Sequence, residues 1–227
     1  MDALPVLSPA EVRVLGSLVE KQITTPDYYP LSLNALVNAC NQLTNREPVV
    51  SFDDQTVLKA IDGLRDKRLA TLFHGAESRV AKYRHALGDV ILLTPAETAI
   101  VCVLLLRGPQ TLGELRSRSE RLFAFDNLGE VEAALNGLLT RDPPLVTRLP
   151  RAPGTKESRY AHLLSGPVDA PAAESAGAAD SATSSAPSPN PAPDAVTVTR
   201  LEQELADVRR ELAELKHQFA DFRKQFE

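Results

Sequence analysis

The chain has 227 residues, 43% of them hydrophobic and 24% charged, the composition of an ordinary folded protein rather than of a fibrous or fully disordered one. Its formal charge of −5 is unevenly spread: residues 1–165 carry 19 Lys/Arg and 19 Asp/Glu, which cancel, and residues 166–227 carry the other 6 basic and 11 acidic residues. The folded part therefore lacks the overall basic excess that usually marks a polyanion-binding domain, and two cysteines in separate apolar stretches, Cys40 and Cys102, suit buried thiols in a reducing compartment better than a disulfide framework.

Residues 1–5 show neither the basic region nor the apolar core of a signal peptide. The longest apolar run, residues 98–106, is too short to cross a bilayer, so a cytoplasmic protein with no membrane partner is expected. The first element is a helix announced by Ser8 as N-cap, Pro9 at the first helical position and Glu11 closing a capping box. Val12, Leu15 and Val19 follow at helical spacing, and the pattern fades near Lys21. A second helix is expected over residues 32–42, with Leu33, Leu36, Val37 and Cys40 facing inward. A third opens at Asp53, where Phe52 and Val57 form a hydrophobic staple, and buries Val57, Ala60, Ile61 and Leu64. Two alternating runs, residues 69–74 and 78–85, flank Gly75 and read as a β-hairpin.

The same order then recurs. Leu7-Ser8-Pro9-Ala10-Glu11 returns as Leu93-Thr94-Pro95-Ala96-Glu97. Val57 to Leu64 returns as Val131 to Leu138, each ending in Gly-Leu, and Lys82-Tyr83-Arg84-His85 returns as Arg159-Tyr160-Ala161-His162. A period this long means two copies of one small domain. In the second copy the first helix is apolar on every face from Ala99 to Leu106 and must be surrounded by protein, between the domains or at a subunit contact. The next helix starts at Thr111, boxed by Glu114, and contains Leu112, Leu115 and Leu122; the third opens at Asp126; residues 145–149 and 158–163 form the hairpin. Three helices followed by a hairpin is the layout of a winged helix-turn-helix.

Residues 167–195 are mostly Ala, Pro, Ser, Asp and Thr and cannot bury enough apolar surface to offset their conformational entropy. Beyond them Leu201, Leu205, Val208, Leu212, Leu215, Phe219, Phe222 and Phe226 alternate in steps of four and three, a heptad seam. The expected architecture is mainly α with small β-hairpins. It comprises tandem winged-helix domains at residues 5–88 and 89–166, a disordered Ala/Pro/Ser-rich linker at 167–197 and a coiled-coil helix at 198–227. That helix would pair copies of the chain into an oligomer or, failing that, fold back on its own domains.

The segment from Thr24-Thr25-Pro26-Asp27-Tyr28-Tyr29-Pro30 through Asn45-Arg46-Glu47-Pro48-Val49, together with Ser78-Arg79-Val80-Ala81-Lys82-Tyr83-Arg84-His85, resembles the YceH-like family of bacterial proteins. The resemblance covers about residues 5–165. It implies two tandem winged-helix domains and brings no activity, ligand or catalytic residue with it.

Function is read from exposed side chains. Winged helices place their third helix in the major groove and set the hairpin on phosphate or the minor groove. In the first copy Lys59, Arg65 and Arg68 on or beside that helix, with Arg79, Lys82 and Arg84 on the hairpin, are the candidate nucleic-acid contacts. Asp54, Asp62 and Asp66 on the same helix oppose that reading and favour a solvated face of mixed charge pairs. Asn34, Asn38, Asn41 and Asn45 recur in 4-3-4 spacing and would line one face of a continuous helix. Asn34, Asn38 and Asn41 with Arg46 as cation would be a recognition surface, or the amides simply brace the turn before Asp53. The second copy exposes Glu130, Glu132, Asn136 and Thr140 on its third helix, a poorer reader of DNA. Its basic residues lie elsewhere, at Arg116, Arg118 and Arg121 and at Arg148, Arg151, Lys156 and Arg159, as a phosphate patch or as ordinary surface. His74, His85, His162 and His217 lack metal-ligand spacing, and neither a phosphate-cradling glycine loop nor a nucleophile elbow is present. No catalysis, metal or cofactor is expected. The chain reads as a DNA-binding or nucleic-acid-associated regulator acting as an oligomer, or alternatively as a scaffold whose winged helices dock partner proteins.

Overall fold

The computed structural model describes residues 5–73, 80–151 and 157–167, all within a compact unit spanning Met1–Glu174. About half of the described residues are helical, and the strands form small antiparallel sheets. Helix α1 (Pro9–Thr24) opens with the expected capping box on Ser8 and Glu11. It runs three residues past Lys21, because Thr24 and Thr25 turn their hydroxyls back onto the carbonyls of Glu20 and Lys21. Every residue from Glu11 to Glu20 is buried. Helices α2 (Leu33–Cys40), α3 (Asp54–Asp66) and α5 (Pro95–Arg107) all pack on α1, so its polar residues are enclosed along with its apolar ones.

Strands β2 (Ala70–Phe73) and β3 (Lys82–His85) form the first hairpin, antiparallel, with Leu72 opposite Tyr83. A strand that the periodicity did not foretell, β1 (Leu31–Ser32), pairs on the other side of β3, making the sheet order β1-β3-β2. Two residues are too few to show alternation. One of them, Ser32, also serves as the N-cap of α2. The second copy repeats this plan. Strands β4 (Val146–Arg148) and β5 (Tyr160–His162) pair antiparallel, and Gln110, just before the N-cap Thr111 of α6 (Leu112–Ser119), bridges to Tyr160 as Leu31 does to Tyr83. A one-turn helix, α4 (Leu87–Val90), joins the copies.

Further differences from the sequence reading fall at element ends. Helix α7 (Leu128–Thr140) is capped by Asn127, not Asp126, because the Asn127 side chain accepts from the Glu130 amide. The Glu130 carboxylate in turn accepts from the Asp126 amide. Leu122 lies beyond α6, in the turn that follows it.

The expectation that α5 is enclosed on all sides holds: Ala99 to Leu106 are all buried, and α1, α6, α7 and β5 surround the helix. The first helices of the two copies meet at Gly16. A Cβ there would lie 2.9 Å from Leu106 Cδ2 and 3.0 Å from Leu105 Cβ, so only glycine permits the approach. The Cys102 thiol reaches the Gly16 carbonyl across this contact at 3.6 Å. One set of buried apolar side chains, including Leu15, Leu36, Ile61, Ile100, Leu135 and Leu138, runs through both copies. Each such Leu or Ile contributes roughly 1.5–3 kcal/mol by leaving water.

The repeated Gly-Leu motif has a structural cause. The capping-box glutamate of each first helix lies against the third helix of its own copy, and a glycine makes room for it. A Cβ at Gly63 would fall 2.2 Å from Glu11 Oε1, and one at Gly137 would fall 2.6 Å from Glu97 Oε1. The residue after each third helix supplies a cation to the same carboxylate: Lys67 pairs with Glu11, and Arg141 lies 3.8 Å from Glu97. Burial pushes the Glu11 carboxyl up, but the hydrogen bonds from Lys67 and Ser8 and the charge of Lys67 outweigh it and hold the group below its ordinary value.

Candidate functional site

Helix α3 buries Val57, Ala60, Ile61 and Leu64 and turns Gln55, Lys59, Asp62, Arg65 and Asp66 to solvent. Arg65 pairs with Asp62 at 2.9 Å, and both side chains are well exposed, a pair worth little in water. Arg68 follows the helix with a φ of 59°, the left-handed conformation that turns the chain into β2. In the central strand β3, Tyr83 faces the core while Lys82 and Arg84 lie on the opposite face by the two-residue period of a strand. Arg84 Nε donates to Thr71 Oγ1 at 2.9 Å across the hairpin. Lys59, Arg65, Arg68 and Arg84 are exposed and Lys82 is half-buried. Arg79 lies outside the described residues, as do His74, Lys156 and His217, and so does the whole heptad segment with Leu201, Leu205, Val208, Leu212, Leu215, Phe219, Phe222 and Phe226.

At the end of β3 the His85 amide donates to the Tyr29 hydroxyl at 2.7 Å. The ring accepts from the Leu87 amide at Nδ1 (3.3 Å), which places the proton on Nε2, where Gln22 Oε1 accepts it. Burial lowers the His85 pKa to about 4 against the opposing pull of Asp89. The matching His162 is likewise lowered to about 4 by burial, and its Nδ1 is enclosed without a protein partner. Both imidazoles are neutral parts of the hairpin ends.

The recognition surface expected around the asparagines is not assembled. Helix α2 stops at Cys40, so the 4-3-4 stripe is interrupted. Asn34 and Asn38 are exposed on it. Asn41 instead clasps the backbone before α3: its Nδ2 donates to the Phe52 carbonyl and its Oδ1 accepts from the Phe52 amide, both at 2.8 Å. Asn45 takes a φ of 61° and accepts from Arg107.

Arg46, expected as a surface cation, is only 4% exposed. Its guanidinium meets Glu20 Oε2 at 2.6 Å and Oε1 at 3.2 Å, and donates to the Ala39 carbonyl and to Gln42 Oε1. A second buried arginine, Arg13, donates to the carbonyls of Cys40 and Pro48. Two guanidiniums therefore hold the open carbonyls at the C-terminal end of α2, where the helix dipole favours positive charge. Arg121, from the second copy, reaches the other side of Glu20 at 2.9 Å. Burial pushes the Glu20 carboxyl up, and the hydrogen bond and charge of Arg46, with Lys21 and Arg121, pull it below its ordinary value. The Glu47 amide donates to the Leu106 carbonyl at 2.9 Å. The stretch Asn45-Arg46-Glu47 thus ties the two copies together. No sequence signal separated Glu20 or Arg13 from ordinary surface charges, because their burial comes from elements distant in the chain.

In the second copy, Glu132, Asn136 and Thr140 are exposed on α7 and Glu130 is half-buried in its first turn. Arg116 is occupied by the carbonyls of Phe125 and Asp126, and Arg159 by Glu114 and the Pro109 carbonyl. Arg148 and Arg151 are exposed beside an open concavity of about 290 Å³ that Leu112, Leu128, Glu132 and Tyr160 also line. Burial pushes the Cys40 thiol up to about 11 and the Cys102 thiol higher still, so both stay protonated. No helix among the described residues is long and apolar enough to cross a membrane.

Residues 7–155 match the family model described as "Protein of unknown function, DUF480". Among curated proteins, the chain is 59% identical to a "UPF0502 protein" of Opitutus terrae over 176 residues, 77% of this chain and 76% of that one. It is 53% identical to a "UPF0502 protein" of Citrifermentans bemidjiense over 200 residues, 88% of each.

Proposed function

We propose that this chain, which belongs to the DUF480 family, is a non-catalytic, nucleic-acid-associated regulator built from two tandem winged-helix units, with the first unit as the contacting one. One observation carries the reading. Lys59, Arg65, Arg68, Lys82 and Arg84 stand outside the buried network, on α3 and on the outer face of the central strand that follows it. These are the elements a winged helix lays against the groove and the phosphates. The third helix of the second unit offers acidic and neutral side chains at the same place. Pairing of copies through the heptad segment would place several weak contacts on one duplex and raise their joint affinity.

Titrating a fluorescent DNA duplex at several salt concentrations tests this. Affinity should fall steeply with salt, with a log–log slope of about −0.9 for each phosphate neutralised. The double variant Lys82→Glu, Arg84→Glu should weaken binding and flatten the slope. Equal affinity for the variant and the unaltered protein removes the proposal. Light scattering after deletion of residues 197–227 should show a smaller assembly.

The scaffold reading has its own support in the second unit. Leu128 is exposed beside the concavity between α7 and the second hairpin, and Leu112 and Tyr160 add apolar lining there. A protein with no salt-sensitive DNA affinity would favour docking of a partner protein at this groove.

A further inference from the structure

Five cations from four separate stretches of chain gather where the two copies meet. They are Lys21 late in α1, Arg46 in the loop after α2, Arg107 at the end of α5, and Arg118 and Arg121 in and after α6. Their acidic partners are fewer. Glu20 is fully occupied: Arg46 holds both of its oxygens, Arg121 shares Oε1, and Lys21 lies 3.8 Å from Oε2. Glu114 lies 3.6 Å from Arg118 and is shared with Arg159. Glu47 is largely exposed and stands 3.9 Å from Arg118. Arg107 has no carboxylate within ion-pair distance among the described residues; it donates to the amide oxygen of Asn45, and its own carbonyl accepts from Gln110. The cations are close enough to repel one another: burial lowers the pKa of Arg107, Arg118 adds to it and Glu47 opposes it, and burial lowers that of Lys21 against the pull of Glu20, with Arg46 and Arg121 adding to the fall.

Asn45, Arg107, Arg118 and Arg121 line a dimple together with Val103, Leu106, Leu122 and the carboxylate of Glu20, which Arg46 and Arg121 already neutralise; its interior is about 10 Å³. That is room for one oxygen atom rather than for a whole ligand. Guanidinium forks around a one-atom recess suit a group that can place one oxygen in the recess and offer others at its mouth. A carboxylate has two oxygens and one charge; a phosphate has more of both. We infer that this junction is a phosphate-binding site, in which Arg107, Arg118 and Arg121 grip a phosphate group through its oxygens. It is separate from the α3 and β3 face and does not rest on it. The bound group would neutralise the surplus charge exactly where the two copies are held together, so occupancy would also stiffen the contact between α1, the Asn45–Glu47 loop and α6.

The test uses the full chain, with pyrophosphate as probe and sodium chloride adjusted to constant ionic strength. Titration followed by amide NMR should show saturable shifts at Asn45, Arg107 and Arg121, and pyrophosphate should raise Tm. Arg118→Ala should weaken the affinity tenfold or more. Arg107→Gln, which removes the charge but keeps a donor for Asn45, guards against simple loss of folding and should weaken it similarly. The variant Lys82→Glu, Arg84→Glu should bind pyrophosphate as the unaltered protein does. A parallel titration with a DNA duplex identifies the source of the phosphate. If Arg107→Gln weakens both ligands, the site takes the nucleic-acid backbone; if it weakens pyrophosphate alone, it takes a free phosphorylated compound. Shifts that chloride alone reproduces, or unchanged pyrophosphate affinity in both arginine variants, overturn the inference.

Discussion

Replacing Gly63 by alanine sets two well-known effects against each other. In the interior of a helix, alanine is favoured over glycine by about 1 kcal/mol, so local propensity alone says the variant is more stable. The tertiary contact says the reverse. The new methyl would sit 2.2 Å from Glu11 Oε1, inside any tolerable separation. Glu11 cannot swing away freely, since its carboxylate accepts from the Ser8 amide at 2.6 Å and holds Lys67, with only 7% of its side chain exposed. Moving it forfeits half of the capping box and a largely buried ion pair, and leaving it in place forces α1 and α3 apart. Overpacking of this kind costs about 1–3 kcal/mol, so Gly63→Ala should lose about 0–2 kcal/mol net once the propensity gain is subtracted. Urea unfolding followed by circular dichroism measures this. The decisive comparison is the same substitution in a Glu11→Ala background, where the obstacle is gone and alanine should stabilise by up to about 1 kcal/mol. A single variant more stable than the unaltered protein, or the same change in both backgrounds, would refute the reasoning. Gly137→Ala should cost less, because the contact with Glu97 is 2.6 Å and Arg141 holds that carboxylate from 3.8 Å.

Arg46→Ala should destabilise by about 3–5 kcal/mol, as expected when one member of a buried ion pair is removed. Arg46→Lys should fall between, because an ammonium cannot serve Glu20, Ala39 and Gln42 together; a denaturation midpoint for Arg46→Ala within error of the parent would discount the clamp. Acidification should weaken the fold through His85 and His162, both lowered from 6.5 to about 4 by burial. The unfolded chain takes up these protons first, so the histidine contribution is intact above pH 6.5, is lost as pH drops toward 4 and is constant below it, with a slope of at most about 1.4 kcal/mol per pH unit for each histidine; Glu11 and Glu20, held below their ordinary values, add a further loss at lower pH. His162→Leu should flatten that slope by up to one proton's worth in pH-dependent urea titrations; an unaltered slope means the imidazole is not buried neutral.

The two-copy plan was legible because it rests on local rules: Ser8, Thr94 and Thr111 cap helices, Glu11, Glu97 and Glu114 close the boxes, and Val57 and Val131 begin matching inward stripes. These signals lie within one or two helical turns of each other, so the chain spells them without reference to the rest of the molecule. The all-apolar run Ala99–Leu106 likewise announced a helix enclosed on every side. Glu11, Arg13 and Glu20 are buried in α1 although nothing in the local pattern sets these charges apart from surface ones. Strand β1 was too short to show its period.

Charge at a given position in the sequence says which group is present, and solvent decides what that group does. Which charges face water is settled only when distant elements close over them: α2, α3 and α5 over α1, and the second copy's Arg121 onto Glu20. Capping, periodicity and repetition were therefore properties of the chain, whereas the conversion of Arg46 from a surface cation to the buried partner of Glu20, and the crowding of Arg107, Arg118 and Arg121 around one recess, were decided by tertiary packing, because burial and Coulomb energy depend on separations in space that no local pattern encodes.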